Sequence, residues 1–591
     1  MGHYNSFKTV VYIPSPVAAR FTPEKLAYDY DYIEKYIGLD KVYLETWRDG
    51  VLADREQLKW IRDFFLEKGV EVAGGITATT GREMEDGGKQ RLFTTWCYSN
   101  EAMREKMREI SEYTASIYDE FILDDFFFTN CTCEECIAKK GDRDWVTFRE
   151  ELMTDVSENL ILGPAKKVNP KCRVTIKYPN WRESYHRTGY CPGVEKDIFD
   201  RIYTGTETRS TMYADQHLPE YLGYSLMRWM ESAKPGRNGG GWFDSYQCFS
   251  VDRYLEQAYL TAFARPREMM MFQWADLIDS RLTAPLGVQY AKLDALLQAV
   301  GQPAGVPVYI PFRSDGENHY EDHLGMQGLA LDPTPYFPGE EPEDGQGSAA
   351  GAKAVLLTES SAADPEIMKK LRRFVLEGKD AVVTTGFVSA VCADGRRAAW
   401  EELSEVRLTG RKLLCDRYDV TDDWFCYPEK QEGVLFPDIQ HGNNAAWSYI
   451  NAGSGDYHCA LFLKSTYGKG RVWILATPEN PADWAKVPAE VLNPVRRVLA
   501  ADGLYVEGHN LSFFRYDNET FALYAYVKAP LHGFTAKVRS LTPAKELEDI
   551  ATGRKVPFRK VPKFTDMSFT EEYVAEVPVM PGEFLAGRVI R

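Results

Sequence analysis

Two adjacent carboxylates, Asp124 and Asp125, close the apolar run that begins at Phe121, and Cys131, Cys133 and Cys136 follow within a dozen residues. Acids at the mouth of a buried strand suit proton transfer or nucleophilic attack on a bound substrate. The Cys-x-Cys-x-x-Cys spacing offers three soft ligands, and zinc takes four in a tetrahedron. Cys97, in Thr95-Trp-Cys-Tyr-Ser-Asn100, is the expected fourth. Four thiolates would close the shell, making a structural zinc site that clamps the loop beside the acids, with no organic cofactor. Reduced, unligated cysteines are the alternative.

Glycosidic cleavage needs two carboxyl groups flanking the sugar, one protonated for the leaving oxygen and one ionised for attack or base work. In a barrel of parallel strands such groups stand at the C-terminal strand ends. Those ends here carry Glu45, Asp124, Asp125, Glu207, Asp244 and Asp276. A strand-four Asp opposed to a strand-six acid resembles the retaining α-galactosidase and α-glucosidase superfamily, which implies Asp124 as nucleophile with Asp125 close behind. Glu207 is the expected acid/base, and Asp244 the alternative for either role. Glu45 and Asp276 are expected to bind substrate or to serve as salt bridges or helix caps. Lys177 and Arg209 also lie at strand ends, where they would bind hydroxyls or keep a neighbouring carboxylate ionised. Trp242 and Trp274 are expected as a platform for an apolar sugar face, although tryptophans fill cores equally well. Trp47, Trp181 and His186 lie near the same ends.

The elements that must position these residues alternate in type. Strand candidates are Thr9–Pro14, Val42–Thr46, Val70–Thr77, Glu120–Asp125, Arg173–Tyr178, Ile202–Thr206, Gly240–Phe243 and Met269–Trp274. Helical stretches such as Asp54–Lys68, Glu101–Tyr118, Trp145–Leu162, Pro219–Ala233 and Val251–Ala264 separate them. Eight β-then-α units predict a TIM (β/α)8 barrel over residues 1–300, with a doubly wound open sheet as the structural alternative. Gly301–Pro307 reads as a linker. A Rossmann-like α/β domain is expected over 301–502, with a surface loop at Pro338–Gly351, and a small β-sandwich over 503–591, where Phe521–Val527 is the clearest strand.

A net charge of -17 and the lack of a basic stripe argue against nucleic acid as a partner. No apolar run reaches the roughly 20 residues of a membrane helix, and Met1–Val10 lacks a signal-peptide pattern, so a cytoplasmic protein is expected. Eleven cysteines with one tight cluster favour metal ligation over a disulfide framework. No phosphate-binding loop, serine nucleophile elbow or zinc-protease helix is present.

The lone cysteine after strand three and the Cys-x-Cys-x-x-Cys after strand four resemble the zinc cluster of glycoside hydrolase family 42, the trimeric β-galactosidases. Asp322-His-Leu-Gly-Met-Gln-Gly-Leu-Ala-Leu-Asp-Pro-Thr-Pro335 is similar to the start of that family's glutamine-amidotransferase-like trimerisation domain, and Phe272-Gln-Trp274 to the end of its eighth strand. The resemblance implies a barrel, a trimerising α/β domain, a small β-domain and an oligosaccharide substrate. It departs at the acids. The family carries Asn-Glu at strand four, with the Glu as general acid, and a Glu nucleophile on strand seven. Here strand four ends in Asp124-Asp125 and strand seven in Gly241-Trp-Phe-Asp244, while Glu231 precedes strand seven in a helical context. A strand-four Asp facing a strand-six acid is similar instead to the retaining α-galactosidase and α-glucosidase superfamily. The expectation is an exo-acting, retaining glycosidase that prefers an α-linked, galactose-type terminal hexose. A family 42 type β-galactosidase and a catalytically silent carbohydrate-binding barrel are the alternatives.

Overall fold

The computed structural model describes residues 3–80, 92–340, 351–421, 425–427, 429–441, 446–501, 503–528, 533–565 and 568–591. The chain divides into two compact units, Met1–Gln298 and Ala299–Arg591.

The first unit is a closed parallel barrel. Its strands are β1 (Lys8–Ile13), β2 (Lys41–Arg48), β3 (Glu71–Ile76), β4 (Glu120–Leu123), β5 (Arg173–Tyr178), β6 (Arg201–Gly205), β7 (Asn238–Asp244) and β8 (Glu268–Phe272). Neighbours pair in parallel all the way round, and β1 pairs with both β2 and β8, which closes the ring. The strands are buried almost throughout, as expected where helices cover the outside and side chains fill the inside. Helices between them show the matching amphipathic pattern. Asp54 caps Arg55–Glu67 by accepting from the Gln57 amide at 2.9 Å, and the helix turns Leu58, Ile61 and Phe65 inward. Asn100 does the same for Glu101–Ala115 through the Met103 amide at 3.1 Å.

The barrel interior is layered. At the N-terminal end the Lys41 ammonium lies 2.6 Å from Glu120 and 3.1 Å from Glu268, and Arg173 reaches the other oxygen of Glu120 at 2.6 Å. Above that ion cluster sits an apolar layer of Tyr12, Tyr43, Ile122, Tyr203, Trp242 and Met270. Gly75 on β3 makes room for it, since a Cβ there would stand 2.5 Å from the Tyr12 hydroxyl. The strand-end acids therefore rest on a packed floor.

In the second unit a nine-stranded mixed sheet comes first. Leu331–Thr334, Val306–Tyr309, Ala354–Leu357, Asp380–Thr384 and Gly470–Leu475 lie parallel in that order. Tyr457–Tyr467, Ala446–Ser454, Arg417–Val420 and Phe425–Tyr427 continue it as an antiparallel meander. The βα pattern announces the parallel half, and nothing in it announces the meander. After Gly503 the chain builds a four-stranded and a five-stranded antiparallel sheet. Val506, Phe513, Phe521, Leu523, Val538, Leu547 and Val577 make up their shared core. Residues 341–350 of the expected loop at Pro338–Gly351, and Asp502, lie outside the described residues.

Lys41→Met should cost about 3–5 kcal/mol of stability in chemical denaturation, because it removes the buried ammonium that Glu268 and Glu120 share and leaves Glu120 to Arg173 alone. Burial opposes ionisation of Glu120, but Lys41 and the nearby arginines outweigh it and hold the carboxyl at about 2. A depressed carboxylate stabilises the fold above its unfolded pKa, so this contribution should fade as pH falls from about 4.5 towards 2.

Candidate active site and cysteine cluster

At the C-terminal strand ends the acids do not stand free. Glu45, from β2, is fully buried, and both of its oxygens are taken. It accepts from Tyr12 at 2.8 Å, the Ser15 amide at 2.7 Å, Thr77 at 2.5 Å and Arg48 Nε at 3.0 Å. Its task is to orient Arg48, so the substrate-binding role expected for Glu45 gives way to an ion pair. Arg48 Nη2 then reaches Asp124 Oδ2 at 3.1 Å, and the Thr77 hydroxyl, whose one proton goes to the nearer Glu45, lies 3.0 Å from the same oxygen. Asp124 Oδ1 accepts the Asp125 amide at 2.8 Å. Burial disfavours the charge on Asp124, but Lys177 and Arg48 win and hold its pKa below the usual range. Asp124, expected as the nucleophile, is thus bonded on both oxygens and almost fully buried.

Asp125 differs from its neighbour because β4 has ended at Leu123. The two carboxyls are freed from strand alternation, and Asp125 is the more exposed of the pair. Lys177, at the end of β5, puts its ammonium 2.8 Å from Asp125 Oδ2, 2.6 Å from Glu207 Oε1 and 3.6 Å from Asp124 Oδ1. The Tyr190 hydroxyl steadies the Asp125 backbone carbonyl at 2.8 Å. Burial, reinforced by Asp124 and Glu207 and only partly offset by Lys177, pushes Asp125 up to about 8. Burial raises Glu207 as well, against Lys177. Glu207 Oε2 is buried with no hydrogen-bond partner among the described residues. That oxygen lies over Gly205, where a Cβ would meet it at 2.6 Å, so a glycine before the acid is a spatial requirement.

Across from these, Arg209 clasps Asp244 at two points, Nε to Oδ1 at 3.0 Å and Nη2 to Oδ2 at 2.8 Å. Asp276 accepts from Ser245 at 2.7 Å and so ties the loop after β8 to the loop after β7. Five acids (Glu45, Asp124, Asp125, Glu207, Asp244) thus face three cations (Arg48, Lys177, Arg209) in one largely buried cluster.

The tryptophans are rearranged relative to expectation. Trp274 is fully buried, packs edge-on to Phe21 and Phe65 and donates to Asp29 at 3.2 Å. It is wall, not platform. Trp242 is 2% exposed, stacked on Phe272 at 5.5 Å with Lys177 Nζ 4.1 Å from its ring centre. Its ring serves the lysine, which corrects its assignment as an open sugar platform. Trp47 is buried and bonded to the Thr79 carbonyl, and His186 lies buried in a short helix, Tyr185–Thr188. Glu231 sits in helix Leu222–Ala233 and pairs with Arg267 at 2.9 Å, remote in role from the strand ends. Arg48 and Thr77 are the members of the cluster that sequence reading missed. The signal for Arg48 was its place three residues after Glu45, at the very end of β2.

Cys97, Cys131, Cys133 and Cys136 converge, with all four sulfurs within 4.8 Å of one another. Cys97 lies 3.6 Å from both Cys133 and Cys136. A tetrahedral zinc with Zn–S near 2.3 Å has sulfur–sulfur edges of roughly 3.8 Å, so the four thiols fit one ion. They could hold a metal such as zinc in a closed shell with no open coordination position.

A family model described as the catalytic domain of a probable glycosyl hydrolase matches residues 1–291. An uncharacterized protein of Saccharolobus solfataricus is 27% identical over 367 residues, 55% of this chain. The chain spans 60% of that relative's length. A GH42 β-galactosidase from G. stearothermophilus superposes with a TM-score of 0.64 at 12% identity, covering 100% of this chain and 99% of that one. The β-galactosidase of Bacillus circulans sp. alkalophilus gives 0.62 at 12% identity, over 99% and 100% of the two chains. An exo-β-1,4-mannosidase from an Opitutaceae bacterium gives 0.53 at 12% identity, over 84% and 94%. No helix among the described residues is long and apolar enough to cross a membrane. Residues 1–291 therefore match a glycosyl hydrolase catalytic domain, and the whole chain has the fold of the family 42 β-galactosidases.

Proposed function

We propose that the chain is a retaining, exo-acting glycoside hydrolase for a terminal β-linked hexose, a galactoside first. Asp125 is the general acid/base and Asp244 the nucleophile. The observation that carries this reading is the difference in surroundings of these two acids at the strand ends. Burial pushes Asp125 up to about 8, and Asp244 lies against Arg209 through two contacts. A carboxyl raised by burial suits the proton donor.

In the first step Asp125 gives its proton to the glycosidic oxygen while an Asp244 oxygen bonds to the anomeric carbon and the aglycone leaves. Lys177, 2.8 Å away, stabilises the Asp125 carboxylate that results. In the second step Asp125 takes a proton from water, the water oxygen bonds to the anomeric carbon, and Asp244 is released. Asp124, Arg48 and Glu45 hold Asp125 in position throughout. The expected α-linkage took Asp124 as the attacking group, and this reading takes Asp244 in its place. Likeness in fold to β-galactosidases and an exo-β-1,4-mannosidase supports the β-linkage, as does an acid on strand four with a nucleophile on strand seven.

A second reading exchanges Asp244 for Glu207. Both Asp125 and Glu207 touch Lys177, so their bonded oxygens are no farther apart than those two contacts laid end to end. That limit admits the roughly 5–5.5 Å of a retaining pair. Against it stands the raised pKa of Glu207, which opposes nucleophilic attack.

Nitrophenyl α- and β-glycosides, assayed with Asp125→Asn, Asp244→Asn and Glu207→Gln, test these readings. β-Galactoside turnover is expected, falling about 10²–10⁴-fold in Asp125→Asn on poor leaving groups. Azide should restore Asp125→Asn with a β-galactosyl azide product and Asp244→Asn with the α-azide. An α-azide from Glu207→Gln alone would move the nucleophile there. Turnover confined to α-glycosides would sink the assignment, and silence on every substrate would favour the binding barrel. The acid works only when protonated, so kcat/KM should fall as pH rises through about 8, and Asp125→Asn should lack that limb.

Zinc is the metal we assign to the four cysteines, as a clamp on the loops after β3 and β4. One zinc per chain is expected by elemental analysis. Cys133→Ser should lose it together with several degrees of thermal stability, and an unchanged metal content would refute the assignment.

A further inference from the structure

Exposed aromatic side chains gather at one end of the barrel. In the first unit those among the described residues are Tyr28, Tyr36, Phe93, Tyr213, Tyr246 and Phe249. The last four all lie on loops that follow strands at the carboxylate end. Tyr246 comes two residues after Asp244 and is 57% exposed. Its ring centre lies 5.0 Å from the guanidinium carbon of Arg209, the residue that clasps Asp244. Tyr213, four residues after Arg209, meets Phe249 edge to face at 6.2 Å and 87°, and the two are 67% and 71% exposed. An edge-to-face pair leaves a ring face open to solvent. Leaving such rings in water forgoes the roughly 25 cal/mol per Å² that burying them would return. The fold gives no packing reason for placing them here.

A pyranose has one face of axial C–H groups, and the electron-rich face of an aromatic ring accepts it. An aromatic cluster within a few residues of the candidate nucleophile fits a sugar ring next to the one being cleaved. We infer that Tyr213, Tyr246 and Phe249 form an aglycone site that stacks on the second sugar of an oligosaccharide. The inference rests on the proposed glycosidase reading and adds to it a preference for oligosaccharides over simple alkyl glycosides. The Arg209 side chain, held between Asp244 and Tyr246, couples the two sugar positions: one end serves the acid, the flat face serves the ring.

The test is binding, in the full-length Asp125→Asn protein, so that it does not depend on turnover. Galactose, β-1,4-galactobiose, β-1,4-galactotriose and the corresponding β-1,4-manno series are titrated by calorimetry. A disaccharide should bind at least about tenfold tighter than its monosaccharide. Tyr246→Ala and Phe249→Ala should each erase most of that gain with the melting temperature unchanged, and Phe249→Tyr should restore it. Affinity that does not grow with chain length, or growth that survives both alanine substitutions, would overturn the inference. A protein that hydrolyses no glycoside yet shows the length-dependent gain would defeat the glycosidase reading and leave the aromatic site standing.

Discussion

A single buried ammonium organises the mouth of this barrel. Lys177 touches Asp125 from one strand end and Glu207 from another, with Asp124 just beyond hydrogen-bond reach. Burial opposes its charge, but the three surrounding carboxylates outweigh that and raise its pKa. One cation cannot neutralise three acids. Removing several charges from water together costs more than their mutual contacts return, so the surplus acids retain protons. The raised Asp125 and Glu207 follow from this arithmetic, with Arg48 and Arg209 already committed to Asp124 and Asp244. The site is built to hold a proton near neutral pH.

The remainder of the first unit serves that arrangement. Glu45 and Thr77 fix Arg48 and Asp124, Trp242 lies beneath Lys177, and Gly205 leaves the space that Glu207 occupies. At the opposite end of the barrel, Lys41 and Arg173 face Glu120 and Glu268, two cations for two acids. A matched cluster stabilises and a mismatched one is reactive. The cysteine cluster joins the loop after β3 to the loop that directly follows Asp124 and Asp125.

Much of this was legible in the sequence. Each barrel strand announces itself as a short apolar run between amphipathic helices, and all eight fall within a few residues of their expected places. Cys97 could be joined to the cluster from the neighbourhood of loops three and four alone. Which acid does which task was not legible, because adjacent Asp124 and Asp125 are identical in type and differ only in what surrounds them. Arg48 holds the first and Lys177 the second, and no spacing rule reveals that. Trp274 misled for a related reason: its position after β8 suggested the cleft, but the chain has already turned into a helix there and points the ring at Phe21, Phe65 and Asp29. The antiparallel meander of the second unit was missed because strands of half-exposed, mixed composition carry no periodic signal strong enough to stand out.

The most direct test of this account is the titration of the aspartate carboxyls, followed by carbon-13 NMR in protein labelled at those carbons, with Asp125→Asn beside the wild type. The account predicts one aspartate that titrates near pH 8 and vanishes from the spectrum of the variant. If every aspartate instead titrated below about pH 5, or the signal near 8 survived in Asp125→Asn, Lys177 would be balancing its acids fully and Asp125 could not be the proton donor.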